Sequence, residues 1–160
     1  MIHRLLQTDE AVSSLVLRLM LGIVFFSHGA QKVLGWFGGP GFSTTMVYFT
    51  DKAGIPLILA LLAIMAEFLG SLALVTGFLT RLAAFGIAVN MVVCALMNHV
   101  KNGFFMNWFG NQKGEGFEYH LLVIAIGIAL MIKGGGKWSL DGWVTNRSGK
   151  PSIYLSFPGS

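Results

Sequence analysis

The chemistry open to this chain rests on few side chains. His28, His99 and His120, with Glu118 beside the last, supply imidazoles and a carboxylate. An imidazole titrates near neutrality and can relay protons, hydrogen-bond a quinone carbonyl, or ligate a metal or haem. Arg18, Lys32, Glu67 and Asn90 stand within long apolar runs. There an ionised group costs at least ~2.5–3.5 kcal/mol in a bilayer unless it faces other helices or a wet cavity. The one cysteine, Cys94, excludes an intramolecular disulfide and a CxxC redox pair. Amid apolar neighbours it reads as a packing residue. No HxxxH or similar spacing occurs, so no metal is expected.

The elements that must position these groups follow from composition. The chain has 160 residues, 54% hydrophobic and 11% charged, whereas soluble domains carry about 25% charge. It reads as a membrane protein. The net charge of +4, from 11 Lys/Arg against 7 Asp/Glu, includes no basic run on a soluble surface, which excludes nucleic-acid binding. Arg4 resembles a signal-peptide n-region, but Asp9 and Glu10 follow and Arg18 interrupts the apolar core. With no small-x-small cleavage site, the first span is expected to stay uncleaved.

Within that span, Leu15 to Leu34 can cross a bilayer, since about 20 apolar residues cover the ~30 Å hydrocarbon core. At about 100° per residue, Arg18, Gly22, Phe25, Gly29 and Lys32 fall on one stripe, with His28 on its flank. That stripe must face other helices. GWFGGPG (Gly35–Gly41) ends the helix, and Ser43 could cap a short interfacial helix after it. Pro56 opens span 2, whose Ala63, Ala66, Gly70, Ala73 and Gly77 form a small-residue stripe suited to close packing. The Ala66/Gly70 face is the expected homo-oligomer contact. Gly77 stops span 2, and Thr80 is the candidate N-cap of span 3.

The expected fold is all-α, an integral membrane four-helix bundle with a short interfacial helix in the first outer loop. Its domain covers 1–143, with spans about 12–34, 55–76, 81–100 and 117–133, followed by a polar tail over 144–160. Span 4 is short for a full crossing. Four spans put both termini on one side. Arg4, Arg81, Lys133, Lys137, Arg147 and Lys150 make that side cytoplasmic, against Lys32, Lys52, Lys101 and Lys113 opposite.

This topology gathers His28, His99, Glu118 and His120 at the outer end. The pocket expected there lies between His28, His99, His120 and the loop aromatics Trp36, Phe104 and Trp108. Lys32 and Asn90 contribute to its binding set, and a quinone-type molecule is the expected cofactor. Haem ranks well below it. The bland alternative is interfacial histidines satisfied by loop carbonyls and lipid head groups. Glu118 and His120 are two apart and diverge by about 160° on a helix, and Asn90 and His99 lie on opposite faces, so not all can share one pocket. Deeper down, Arg18 and Glu67 lie within about two turns of one depth and are expected to pair, with Asn90 as third member. That pair serves either as a helix lock or as a proton-handling carboxylate.

RLMLGIVFFSHGAQKVLG (Arg18–Gly35), AEFLGSLALVTGFLTRLAA (Ala66–Ala84) and KWSLDG (Lys137–Gly142) together resemble the DoxX family of small bacterial inner-membrane proteins. That family shares a superfamily with the DoxD subunit of thiosulfate:quinone oxidoreductase. The resemblance covers about Val16 to Trp143 and implies a four-helix membrane bundle. Its pattern matches here at Arg18, His28, Lys32, Glu67, Arg81 and Asp141. The family name looks back to a quinol oxidase subunit, and members are linked with thiol and oxidative-stress complexes. The leading expectation is therefore a redox-associated, quinone-binding inner-membrane protein, with Glu67, Arg18 and His28 at its chemistry. A non-catalytic anchor or assembly subunit with a redox partner is the rival. A small-solute or proton-coupled transporter comes third, because four spans without an internal repeat make a small pathway.

Overall fold

The computed structural model describes residues 6–8 and 10–147, and every regular element among them is helical. Helix α1 spans Val12–Leu34 and ends where Gly35 takes a left-handed conformation, φ 71°. After a 3-10 turn, α2 runs Gly41–Val47 and continues as a π turn over Tyr48–Lys52. Helix α3 spans Leu57–Thr76 and α4 spans Thr80–Cys94. The latter continues through a π turn, Ala95–His99, and a 3-10 turn, Val100–Asn102. Helix α5 runs Glu118–Lys133, and α6 Leu140–Arg147.

Three of these stretches are long and apolar enough to cross a membrane: Val12–Leu34, Leu57–Thr76 and Thr80–Asn102. At 16 residues, α5 is only about 24 Å long. It completes a ring in which α1 packs on α3, α3 on α4, α4 on α5, and α5 back on α1. Leu21, Phe25, Leu74, Ile87, Val123 and Leu130 fill the centre. Large apolar side chains on the outside, such as Ile58, Leu62 and Leu122, are exposed, as suits a surface solvated by lipid.

Glycine spacing sets the closest contact. A Cβ at Gly29 would stand 2.7 Å from Phe68 Cα, and one at Gly22 would stand 2.8 Å from Val75 Cγ2. Two glycines seven apart thus let α1 lie directly against the α3 backbone. The small stripe of α3 is also used internally. Gly70 packs toward Ile87 and Ala66 toward Gly86, so the face expected to join two copies mostly meets α4 of the same chain.

Several local expectations are corrected. Ser43 lies inside α2 rather than capping it, and Pro40 precedes that helix. Thr80 is the first residue of α4 rather than its cap; the cap position is Leu79, at φ 50°. The amides at the start of that helix are held from a distance, by Asp141. Residues 144–147, expected in a polar tail, continue α6. The rest of that tail, with Lys150, and the N-terminal Arg4 and Asp9 fall outside the described residues.

Candidate functional site

Arg18 and Glu67 do not pair. Arg18 is 1% exposed, and its guanidinium meets carbonyls only. Nε donates to Gly135 O at 2.8 Å, Nη1 to Leu74 O at 3.0 Å and Val75 O at 2.6 Å, and Nη2 to Trp138 O at 2.9 Å and Lys137 O at 3.3 Å. Leu74 and Val75 lie in the last turn of α3, where carbonyls lack the regular partners of the helix interior, although Leu74 O also accepts Gly77 N–H at 3.2 Å. Arginine satisfies them while tying α1 to the α5–α6 loop. Asp141 does the converse for α4: Leu79 N–H donates to Oδ1 at 2.7 Å and Thr80 N–H to Oδ2 at 2.9 Å. Burial pushes the Asp141 carboxyl above its usual range, and the Thr80 and Leu79 amides and Arg18 pull it partly back. Arg81 holds the carbonyls of Gln7 and Met131. All three charged groups stitch the end of the bundle where the N-terminal lead-in, the α3–α4 turn and the end of α5 meet.

The second polar centre lies toward the opposite end. Glu67, 6% exposed, forms an ion pair with Lys32 through Oε2 and accepts Asn90 Nδ2 at 2.9 Å through Oε1. The predicted network therefore keeps Glu67 and Asn90 but takes its cation from α1's last turn. The physical reason is offset: Arg18 meets α3 about two turns below Glu67, and its donors are used up there. Asn90 also lines an apolar groove of about 580 Å³ between α3 and α4, with Ala63, Ala66, Gly86, Val89 and Met97. The groove reaches from Pro56, at the mouth of α3, to mid-helix, and Asn90 is its polar group.

The histidines divide. His99 and His120 lie together, ring centroids 4.2 Å apart, and Cys94 joins them. His28 is exposed and meets Phe25 of its own helix edge-on. Trp36 is exposed and packs on Phe26. Trp108, 79% exposed, borders a separate hollow of about 510 Å³ with Phe104, Glu118 and Tyr119. The single outer pocket expected from His28, His99, His120, Trp36 and Trp108 is thus split over three places, because α1 and α5 present these groups to different sides. Glu118 accepts Met106 N–H at 2.9 Å while His120 points inward, as their two-residue spacing requires.

Sequence reasoning missed Cys94 as a partner of the histidines. On a regular helix, Cys94 and His99 lie about 140° apart. The π turn Ala95–His99 lengthens the repeat and brings a residue five positions on back over the same face. Nothing in that stretch, ALMNH, signals the extra residue.

A family model described as DoxX matches residues 13–100, which include Arg18, His28, Lys32, Glu67 and Asn90 but neither His120 nor Asp141. The inner membrane protein YqjF of Escherichia coli (strain K12) is 30% identical over 132 residues, 82% of this chain and 92% of its own. CatD of Bacillus subtilis (strain 168), which bears a provisional oxidoreductase name, is 28% identical over 119 residues, 74% of this chain and 78% of its own. No solved structure matches significantly.

Proposed function

This chain belongs to the DoxX family, and from that premise we propose that it is a redox-associated protein of the bacterial inner membrane that binds a quinone-type molecule between α3 and α4. The observation that carries the reading is Asn90. Its amide lines an apolar groove of drug-sized volume and is hydrogen-bonded to the buried, ion-paired Glu67. A quinone needs an apolar channel for its tail and a hydrogen-bond donor for its carbonyl. The second amide N–H of Asn90 makes a long contact of 3.5 Å to Ala63 O, weak enough for a quinone carbonyl to replace it. Glu67 and Lys32 stand one bond further in, where a carboxylate and an ammonium can hold or pass a proton as the bound ring gains or loses one. The provisional oxidoreductase name of CatD supports the redox class without naming a substrate. In this reading α5 is the fourth crossing and both termini face the cytoplasm.

Mass spectrometry of lipid extracted from detergent-purified protein tests the reading. Stoichiometric quinone is expected from the wild type. Asn90→Leu, which keeps the branching and the number of heavy atoms but removes the amide and its bond to Glu67, should lose it while still purifying as a folded protein, at a somewhat lower melting temperature. Extracts with no more quinone than an unrelated membrane protein, or undiminished quinone in Asn90→Leu, overturn it.

A second reading draws on the saturation of both polar centres: every donor of Arg18 and both carboxylate oxygens of Glu67 are engaged. Such groups suit an assembly subunit whose ion pairs fix helix packing while a partner does the chemistry. That reading predicts that Glu67→Gln loosens the bundle and that no quinone co-purifies.

A further inference from the structure

Cys94, His99 and His120 come from two helices and reach one point under the α4–α5 loop. One donor atom from each lies within 4.8 Å of the others. We infer that they form a binding site for one divalent ion of the zinc class, held by a thiolate and two imidazoles. This inference does not depend on the quinone reading.

Three observations support it beyond proximity. First, His120 is 5% exposed, and its Nδ1 has no hydrogen-bond partner. A buried ring nitrogen left this way is costly unless something else engages the ring. Second, His99 Nδ1 lies 2.9 Å from the Glu115 carbonyl oxygen. A carbonyl can only accept, so Nδ1 carries the proton and Nε2 keeps a free lone pair. That is the outer-shell arrangement that orients metal-binding histidines. Third, the cysteine and His99 share a face only because of the π turn at Ala95–His99, and such turns recur at functional sites.

A sulfur and two nitrogens suit zinc better than the hard, oxygen-seeking magnesium or calcium. Three protein ligands leave a fourth tetrahedral position for water or an added ligand. His99 is partly exposed, so an ion can enter from the loop side. Binding would release the thiol proton to solvent as the thiolate forms.

The test uses the full chain carrying a histidine-free affinity tag, purified in mild detergent and stripped with chelator. Titration with Co2+ should saturate at one ion per chain and develop a thiolate-to-cobalt charge-transfer band in the near ultraviolet, and Zn2+ should abolish the band. Cys94→Ser should lose the band, and His120→Gln should weaken binding by about 10–100-fold or more. Both should keep the melting temperature of the metal-free wild type. Should His120→Gln fail to fold, His99→Gln, at the accessible edge, should show the same weakening. No saturable Co2+ binding, or a band that survives Cys94→Ser, overturns the site.

Discussion

A guanidinium carries five N–H donors, and Arg18 places each against a backbone carbonyl. Lysine has three donors at one point and cannot span this set. Arg18→Lys should leave carbonyls buried and unsatisfied and lower stability by at least about 2 kcal/mol, read as unfolding in detergent at rising denaturant. The Lys32–Glu67 pair behaves differently, since each partner's burial is offset by the other. Lys32→Met should cost about 3 kcal/mol by leaving a buried carboxylate without its cation, and adding Glu67→Met should recover part of that loss. Equal and additive losses in the same melts would count against a coupled pair. Asp141 titrates higher in the fold than unfolded because it is buried. A raised carboxyl stabilises the fold below its unfolded pKa and loses that contribution as pH rises through the folded value. The melting-temperature advantage of wild type over Asp141→Asn should therefore shrink as pH climbs through that range; an advantage that grows instead would reverse the assignment.

At the scale of the helix, two departures from regularity matter most. One is the close approach of α1 to α3 at Gly22 and Gly29. A side chain at Gly29 meets backbone at Phe68, which cannot rotate away. Gly29→Val should cost about 1–3 kcal/mol and disturb the neighbouring Lys32–Glu67 pair, whereas Ile23→Val, on the exposed face, should leave the melting temperature within error. The glycine stripe of α1 is legible because a seven-residue repeat on a charged face has few other uses in a membrane helix. The other departure is the π turn at the end of α4, and it is not legible. Ala, Leu, Met, Asn and His all accept a regular helix, so the extra residue is settled by packing of α4 against α5 and by the loop from Asn102 to Gly116. That loop folds back on itself through Phe117 N–H to Gly103 O and Glu118 N–H to Phe104 O.

For the molecule as a whole, the bundle has one stitched end and one open one. Charged side chains satisfy helix ends around Arg18, Arg81 and Asp141, while the opposite end holds the Lys32–Glu67–Asn90 centre, the groove, and His28, His99 and His120. If the stitched end faces the cytoplasm, a cysteine introduced as Lys113→Cys in a Cys94→Ser background should react with a membrane-impermeant maleimide added to spheroplasts. Lys137→Cys should react only after the membrane is opened. The reverse pattern would invert the topology. Either way, the two polar centres lie toward different membrane faces, so one can be altered without touching the other.

The amino-acid order alone determined that this chain is helical and membrane-embedded, because 54% hydrophobic residues and 11% charge leave no other solvent for it. It also determined which polar groups must be buried, since Arg18, Lys32, Glu67 and Asn90 stand in runs that have no water, and it marked helix ends through Gly35 and Gly77, which cap α1 and α3 in left-handed conformations. The pairing of those groups was decided only in three dimensions. Residue number along a helix gives depth to within a turn or two, and two turns separate the carbonyls that take Arg18 from the carboxylate that takes Lys32. The same limit hid the convergence of Cys94 with His99 and His120, and scattered His28, Trp36 and Trp108 over separate surfaces. Depth follows from counting residues; azimuth and offset follow from how four helices pack, and those come from contacts distant in the chain.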